Sequence, residues 1–269
     1  MPTLELLEGD CLTRMKSLPA KSIDCFLCDL PYGCLSGGAG QEKARRADTG
    51  GVLACDWDFP IDLDAFWKEV KRLARNDKVP VIMFCTTRFG YELIKSNPSW
   101  FRYDLVWDKL RGTSFLLANK MPLRSHEMIY IFSKTGAHFQ RVVVSGDFKK
   151  WSRNREKDIN RCYGVKYTSS EGGDGKRCAR SVIYCDGHLS RKKDMHPTEK
   201  PVQLYKWLLE RYCVKGGTVL DPTAGSFNSC FTAFDMGYSA VGIENHPEYF
   251  KRAIKRVEQM EQQNACESL

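Results

Sequence analysis

Apolar residues fall along this chain in two kinds of pattern. Short continuous runs stand at Leu4–Leu7, Ile23–Cys28, Val79–Cys85, Tyr103–Trp107, Met128–Phe132, Thr218–Leu220 and Ser239–Ile243. Runs of this length bounded by turn residues predict buried strands. Between them apolar residues recur at helical spacing. Leu63, Phe66, Val70 and Leu73 predict a helix over about 62–75, and Val202, Tyr205, Leu208, Leu209 and Tyr212 predict a second, opened by Pro201 and ended by Gly216-Gly217. An apolar helix follows the 218–220 run as far as Met236, and a charged amphipathic helix begins near Pro247. Strands alternating with helices predict an α/β fold built on a mostly parallel sheet.

Two stretches break the alternation. From Gly33 to Gly51 the chain is Gly-rich and charged, too long for an ordinary connection, and reads as a functional loop. From 135 to 195 no long periodic element appears, and Gly, Lys and Arg are abundant, as in an inserted recognition region. The expected organisation is therefore a first catalytic half over 1–134, an insert over 135–195, and a second half of the same α/β domain over 196–269.

Charge sharpens this picture. The net charge is +8, and between Arg141 and Lys200 fifteen Lys/Arg stand against eight Asp/Glu. Phe148, Trp151, Tyr163, Tyr167 and Tyr184 are interleaved with them. Cations neutralise phosphates and aromatic rings stack on bases, so the insert suits nucleic acid. No apolar stretch reaches the roughly 20 residues that cross a bilayer, and Met1 to Asp10 lacks the basic and apolar regions of a signal peptide. The expected location is cytoplasmic, with no membrane partner. The twelve cysteines then read as reduced, mostly core residues. Cys25-x-x-Cys28 lies inside an apolar run without a second ligand pair, and Cys178, Cys185 and His188 form only a loose set, so no metal is expected.

Two strand ends carry the candidate chemistry. The 23–28 run leads into Asp29-Leu30-Pro31-Tyr32-Gly33, which sets a carboxylate, backbone carbonyls and a flat ring at a strand's C-terminal edge. In open α/β sheets ligands bind at that edge. The combination suits an extruded nucleobase held by its exocyclic amine. The 218–220 run leads into Asp221-Pro222-Thr223-Ala224-Gly225-Ser226, a small-residue loop before a helix, and the next strand ends in Glu244. Such a βαβ unit can bring backbone close to a nucleoside and set an acid against the ribose hydroxyls. The loop lacks both the Gly-x-Gly-x-x-Gly pattern and a Lys after Gly, which argues against a dinucleotide or P-loop site.

Here the chain resembles the amino-methyltransferases that act on DNA bases. Asp29-Leu30-Pro31-Tyr32 is similar to their base-binding motif and Asp221–Ser226 to their cofactor motif, in the order of the β-class, with the base motif first. Gly9-Asp10-Cys11, Ser22-Ile23-Asp24, Trp107-Asp108-Lys109, Pro122-Leu123-Arg124-Ser125-His126-Glu127 and His196-Pro197-Thr198-Glu199-Lys200-Pro201 extend the resemblance over most of the chain outside about 135–190. It implies a Rossmann-like methyltransferase sheet with helices on both faces, and S-adenosylmethionine as cofactor. Asp29, Leu30, Pro31 and Tyr32 are the implied catalytic residues. The implied cofactor site comprises Asp10, Cys11, Asp29, Thr198, Lys200, Asp221, Pro222, Thr223, Ala224, Gly225, Ser226, Glu244 and Asn245. Within it Asp10 meets the adenine amine, Glu244 the ribose, and the loop with Thr198 and Lys200 the methionine moiety. DNA is the implied partner, with Lys109, Arg124, His126, Lys149, Lys150, Arg153 and Arg155 as contacts. A homodimer and a cognate restriction nuclease stay open as further partners, and the setting as bacterial, phage or viral.

An Asp at position 29 resembles adenine-N6 enzymes, whereas cytosine-N4 enzymes of the class usually carry Ser there. The implied activity is methyl transfer to the N6 amine of adenine in DNA, with cytosine N4 as the alternative. A protein-glutamine methyltransferase would place its cofactor motif first. Two positions depart from the family: Leu30 replaces the usual first Pro of Asp-Pro-Pro-Tyr, and Phe227 replaces the second Gly of Gly-Ser-Gly. A large ring at 227 could crowd the cofactor, which leaves a DNA-binding protein with impaired catalysis as a third reading.

Overall fold

The computed structural model describes residues 1–32, 60–113, 115–145, 176–186 and 199–267. The chain divides into two compact units, one of residues 1–140 with 181–269 and the other of residues 141–180.

The larger unit is built on an eight-stranded sheet. Its strands are β1 (Leu4–Glu8), β2 (Cys25–Cys28), β3 (Val81–Cys85), β4 (Phe101–Thr113), β5 (Arg124–Phe132), β8 (Val182–Tyr184), β9 (Thr218–Asp221) and β10 (Ser239–Glu244). Their spatial order is β1-β10-β9-β2-β3-β5-β4-β8. β1, β10, β9, β2 and β3 pair in parallel, and β5 is antiparallel to both β3 and β4, while β4 and β8 are parallel. β5 alone thus runs against the rest, and its N-terminal end reaches the edge where the other strands end. In the smaller unit β6 (Val143–Ser145) and β7 (Lys176–Cys178) form an antiparallel pair.

Helices cover both faces because the strands are apolar on both. On one face, α1 (Cys11–Ser17), α2 (Leu63–Leu73) and α3 (Thr87–Ser96) pack on Phe26, Cys28, Val81, Met83, Leu220 and Ile243. On the other, α4 (Val202–Tyr212), α5 (Asn228–Asp235) and α6 (Pro247–Glu267) pack on Cys25, Leu27, Ile82, Phe84, Val219 and Ala240. Alternate residues of each strand serve alternate faces, as the pleat requires. α2 begins where Asp62 accepts from the backbone N–H of Asp64 and Ala65 (3.0 and 3.1 Å) and buries Phe66, Trp67, Val70 and Leu73.

α1 and α3 are absent from the hydrophobic pattern. α1 is seven residues long with Cys11 and Met15 buried, and Asp10 caps it by accepting from Thr13 N–H at 2.8 Å. α3 buries only Gly90 and Leu93 and is capped by Thr86. β4 runs on past its apolar stretch as far as Thr113, and its last residues are mostly exposed. Near its end it bulges, since Asp108 faces His126 but Thr113 already faces Arg124. Leu110 takes φ 60° there, with its N–H donated to Asp108 Oδ1 at 2.8 Å. Among the described residues no helix is long and apolar enough to cross a membrane.

Candidate active site

The strand ends of the larger unit surround a cavity of about 730 Å³. Asp29, Leu30, Pro31 and Tyr32 line it after β2, and Asp10 and Cys11 line it after β1. The Asp221–Ser226 loop after β9, Glu244 and Asn245 after β10, and Lys200 before α4 complete that side. The structure therefore gathers all of the expected base and cofactor residues except Thr198, which lies outside the described residues. Among the described residues no group of His, Cys, Asp and Glu is placed to hold a metal ion.

The loop after β9 is shaped by its own backbone. Gly225 takes φ 54°, a left-handed conformation that costs other residues more. Its N–H donates to Glu244 Oε2 at 2.7 Å, and the N–H of His246 donates to Glu244 Oε1 at 2.7 Å. Each oxygen of Glu244 keeps a lone pair for a ligand, because a carboxylate has about four acceptor sites. Burial raises the Glu244 carboxyl above its ordinary value, against these two donors. Asp221 is buried more completely. Burial lifts its carboxyl to about 7, opposed by the Ser229 hydroxyl and the Thr223 N–H and reinforced by Asp29 and Glu244. Cys11 is pushed up to about 12, by burial and by Asp10, and is a neutral thiol.

Phe227 does not enter the cavity. Its ring is fully buried on the core side, edge-on to Phe250 with centroids 6.1 Å apart. Its backbone takes the left-handed conformation (φ 57°) that a glycine would take there. Phe227 is thus a non-glycine residue held in a left-handed conformation.

The base motif is held by charge. Tyr32 donates its hydroxyl to Asp29 Oδ1 at 2.8 Å, and the Lys200 ammonium bonds Asp29 Oδ2. Thr223 Oγ1 donates to the Asp29 carbonyl at 3.1 Å, which ties the base motif to the cofactor loop. The Tyr32 ring lies 5.1 Å from that of Phe89, tilted by 34°. Burial, then Asp29 and Glu127, push the Tyr32 phenol well above its ordinary value, so it is a neutral donor. The resemblance sets Lys200 along the methionine moiety; here its ammonium is turned to Asp29.

Glu127 is the residue that sequence reading passed over. It sits on β5 opposite Trp107 of β4, lines the cavity, and pairs with Lys109 diagonally across the two strands. Its Oε2 lies 3.8 Å from Lys200 Nζ. Burial alone would raise the Glu127 carboxyl, but Lys200 and Lys109 outweigh it and hold it below the ordinary value. Burial likewise opposes the charge of Lys200, and Asp29 with Glu127 outweighs it and raises that pKa. Lys109, expected as a DNA contact, is a member of this ion-pair chain at the cavity wall. Arg124 and His126 are exposed on the opposite face of β5 from Glu127 and do not line the cavity. Lys149, Lys150, Arg153 and Arg155 lie outside the described residues.

Comparison with known proteins agrees with this geometry. The DNA adenine methyltransferase YhdJ of Escherichia coli (strain K12) is 25% identical over 256 residues, covering 94% of this chain and 82% of its own length. Among solved structures, the cytosine-N4-specific PvuII DNA methyltransferase superposes with a TM-score of 0.63 at 14% identity, over 94% of this chain and 86% of its own. The M1.HpyAVI–SAM complex superposes with a TM-score of 0.57 at 18% identity, over 94% and 98% of the two chains. Both superpositions show the same fold. Residues 23–255, which include both strand-end motifs, Glu127, Lys200 and Glu244, match the DNA methylase family that spans N6 and N4 enzymes, and the chain belongs to that family.

Proposed function

We propose that this chain transfers a methyl group from S-adenosylmethionine to the exocyclic N6 amine of adenine in DNA. One observation carries the reading: the carboxylate of Asp29, the Asp221–Ser226 loop and Glu244 line a single cavity at the sheet edge. The donor set fits the cofactor. Glu244 has free lone pairs for two ribose hydroxyls, Asp10 uses Oδ1 to cap α1 and presents its other oxygen to the adenine amine, and the loop brings backbone N–H groups close. The M1.HpyAVI relative of this fold was solved as a SAM complex. When bound, the cofactor would supply a sulfonium methyl and leave as a neutral thioether as its carbon–sulfur bond breaks, the target nitrogen taking the methyl and giving one proton to solvent.

The rest falls to the chain. The base leaves the duplex at a cost of a few kcal/mol. Asp29 and the Leu30 carbonyl accept the two amine hydrogens, which draws the nitrogen lone pair out of conjugation with the ring. Tyr32 stacks on the base, worth roughly 1–3 kcal/mol by analogy with other base–aromatic contacts. No strong base is required, so the work is positioning and fixed charge.

Adenine is favoured by Asp at position 29 and by the adenine specificity in the name of the E. coli relative. Cytosine N4 is the second reading, because the PvuII enzyme of the same fold is cytosine-N4-specific. Mass spectrometry of nucleosides from cells expressing the chain or its Asp29→Ala variant decides between them. N6-methyladenine present only with the parent chain is the expected result; N4-methylcytosine in its place moves the assignment to the second reading. Sequencing of the same DNA gives the target site.

A further inference from the structure

The carboxylate proposed to receive the target amine already has two partners. Asp29 Oδ1 holds the Tyr32 hydroxyl and Oδ2 holds the ammonium of Lys200. Lys200 is 4% exposed and lies over the Phe84 ring, 4.7 Å from its centroid, so water offers its charge little compensation. Oδ2 keeps a second acceptor site, but the ammonium draws on its charge, so an amine bonds that oxygen most strongly once the ammonium has moved off it. In a buried site an ammonium that leaves one anion needs another at once, because an unpaired buried charge is far costlier than a paired one.

Glu127 meets that need. Its Oε1 is fixed by Lys109, while its Oε2 is buried and has no hydrogen-bond partner among the described residues. That oxygen lies 3.8 Å from Lys200 Nζ, so a shift of about 1 Å makes a charge-assisted hydrogen bond. Resting on the reading of Asp29 as amine acceptor, we propose that Glu127 is a positioning residue for base engagement: it takes the Lys200 ammonium when the target amine takes Asp29. The exchange keeps the Lys200 ammonium paired throughout and transfers no proton, while Asp29, 25% exposed, gives up the cation for the hydrogen bond of the amine and keeps that of the Tyr32 hydroxyl. Lys109 anchors the receiving carboxylate, and Lys200 is the group that moves.

The test uses duplexes carrying the mapped target nucleotide or its analogue without the exocyclic amine, each bound by the full chain with the unreactive cofactor analogue sinefungin. The parent binds the amine-bearing duplex more tightly, because the amine bonds Asp29. Glu127→Gln keeps the shape but offers no counter-charge. It should reduce that preference at least fivefold and lower kcat at least tenfold, with cofactor affinity within threefold of the parent. In a Lys200→Met background there is no ammonium to move, so adding Glu127→Gln should change the preference less than twofold. A Glu127→Gln protein that keeps the full preference and kcat overturns the proposal, as does an equal loss in both backgrounds. Should Glu127→Gln fail to fold, Glu127→Asp, which keeps the charge but withdraws it by one methylene, must give an intermediate loss; no loss overturns the proposal. A parent with no preference for the amine overturns the Asp29 reading itself, which is a separate result.

Discussion

The ring of Phe227 occupies the space that Gly242 leaves by having no side chain: a Cβ at position 242 would stand 2.6 Å from Phe227 Cδ1 and 2.7 Å from Cys230 Sγ. Helix α5 therefore approaches β10 as closely as it does because of two residues together. Gly242→Ala should destabilise the fold by about 1–3 kcal/mol, the usual cost of overpacking a tight core. Phe227→Gly would relieve the left-handed backbone by about 1 kcal/mol but lose a buried ring, for a net loss of about 2–4 kcal/mol. Urea denaturation measures both. Cofactor affinity of the folded variants should stay within about threefold, since the ring faces away from the cavity. A large affinity gain in Phe227→Gly would show that the ring reaches the cofactor after all.

Asp29→Ala should lower methyl transfer by at least about 10²–10³-fold, as expected for loss of a fixed charge at the reacting group. Cofactor binding should be largely kept, because Asp10 and Glu244, proposed for the adenine and the ribose, are unchanged. Calorimetry with a tritiated-methyl assay separates the two quantities. Near-normal turnover would remove Asp29 from the chemistry.

Glu244→Ala should weaken cofactor binding by about 1.5–3 kcal/mol, the range for losing a charge-assisted hydrogen bond. Two backbone donors, Gly225 N–H and His246 N–H, lose their acceptor in the same change. Titration calorimetry gives the dissociation constant, and an unchanged value would mean that the ribose is held by other groups.

Asp221 makes a prediction about pH. Its folded carboxyl is raised from 3.8 to about 7, mainly by burial, so the folded chain binds the proton more tightly than the unfolded chain. Stability is therefore favoured by protonation: it falls as pH rises from about 4 to about 7 and is level above that. Full ionisation costs a few kcal/mol at about 1.4 kcal/mol per pH unit. Asp221→Asn removes the titration, so its stability advantage over the parent should grow across that window and then level off. Denaturation midpoints at a series of pH values measure it; a constant difference between the two proteins would rule the titration out.

The insert predicts a salt effect from its charge alone. DNA affinity should fall steeply with salt as counterions return to the phosphates. Neutralising Lys149, Lys150, Arg153 and Arg155 should reduce the slope of log affinity against log salt by about 1 for each phosphate contact removed, without changing the preferred site. An altered site would show that these residues read base edges.

The strand ends are legible in the sequence because each is a short apolar run that leads into an acid: Asp29, Asp221 and Glu244 follow their runs at once, and Asp10 follows after Glu8-Gly9. α1 and α3 were not, since helices that bury only two residues each carry too little periodicity to be read. The partners of Lys200 were hidden for another reason. Asp29 lies 171 residues earlier in the chain, and only the folded sheet sets the two side by side. Glu127 carries no such signal, because the reversal of β5 that brings its first residues to the cavity leaves no mark in the hydrophobic pattern. Phe227 read as an obstacle because side-chain size is visible in a sequence while side-chain direction is not.

The sheet order also bears on how the chain is made. β1 emerges long before its neighbour β10, the last strand of the sheet in chain order, with Leu4 facing Ala240 and Glu8 facing Glu244. At about 5–20 residues per second the first strand waits tens of seconds on the ribosome without its partner. An exposed apolar strand edge invites pairing with another chain. Glu5 and Glu8, both exposed, place two negative charges in the five residues of β1, and strands so charged resist pairing with copies of themselves. Nascent copies on one messenger would repel each other at this strand until β10 arrives, and the cavity between Asp10 and Glu244 closes only once β10 has emerged.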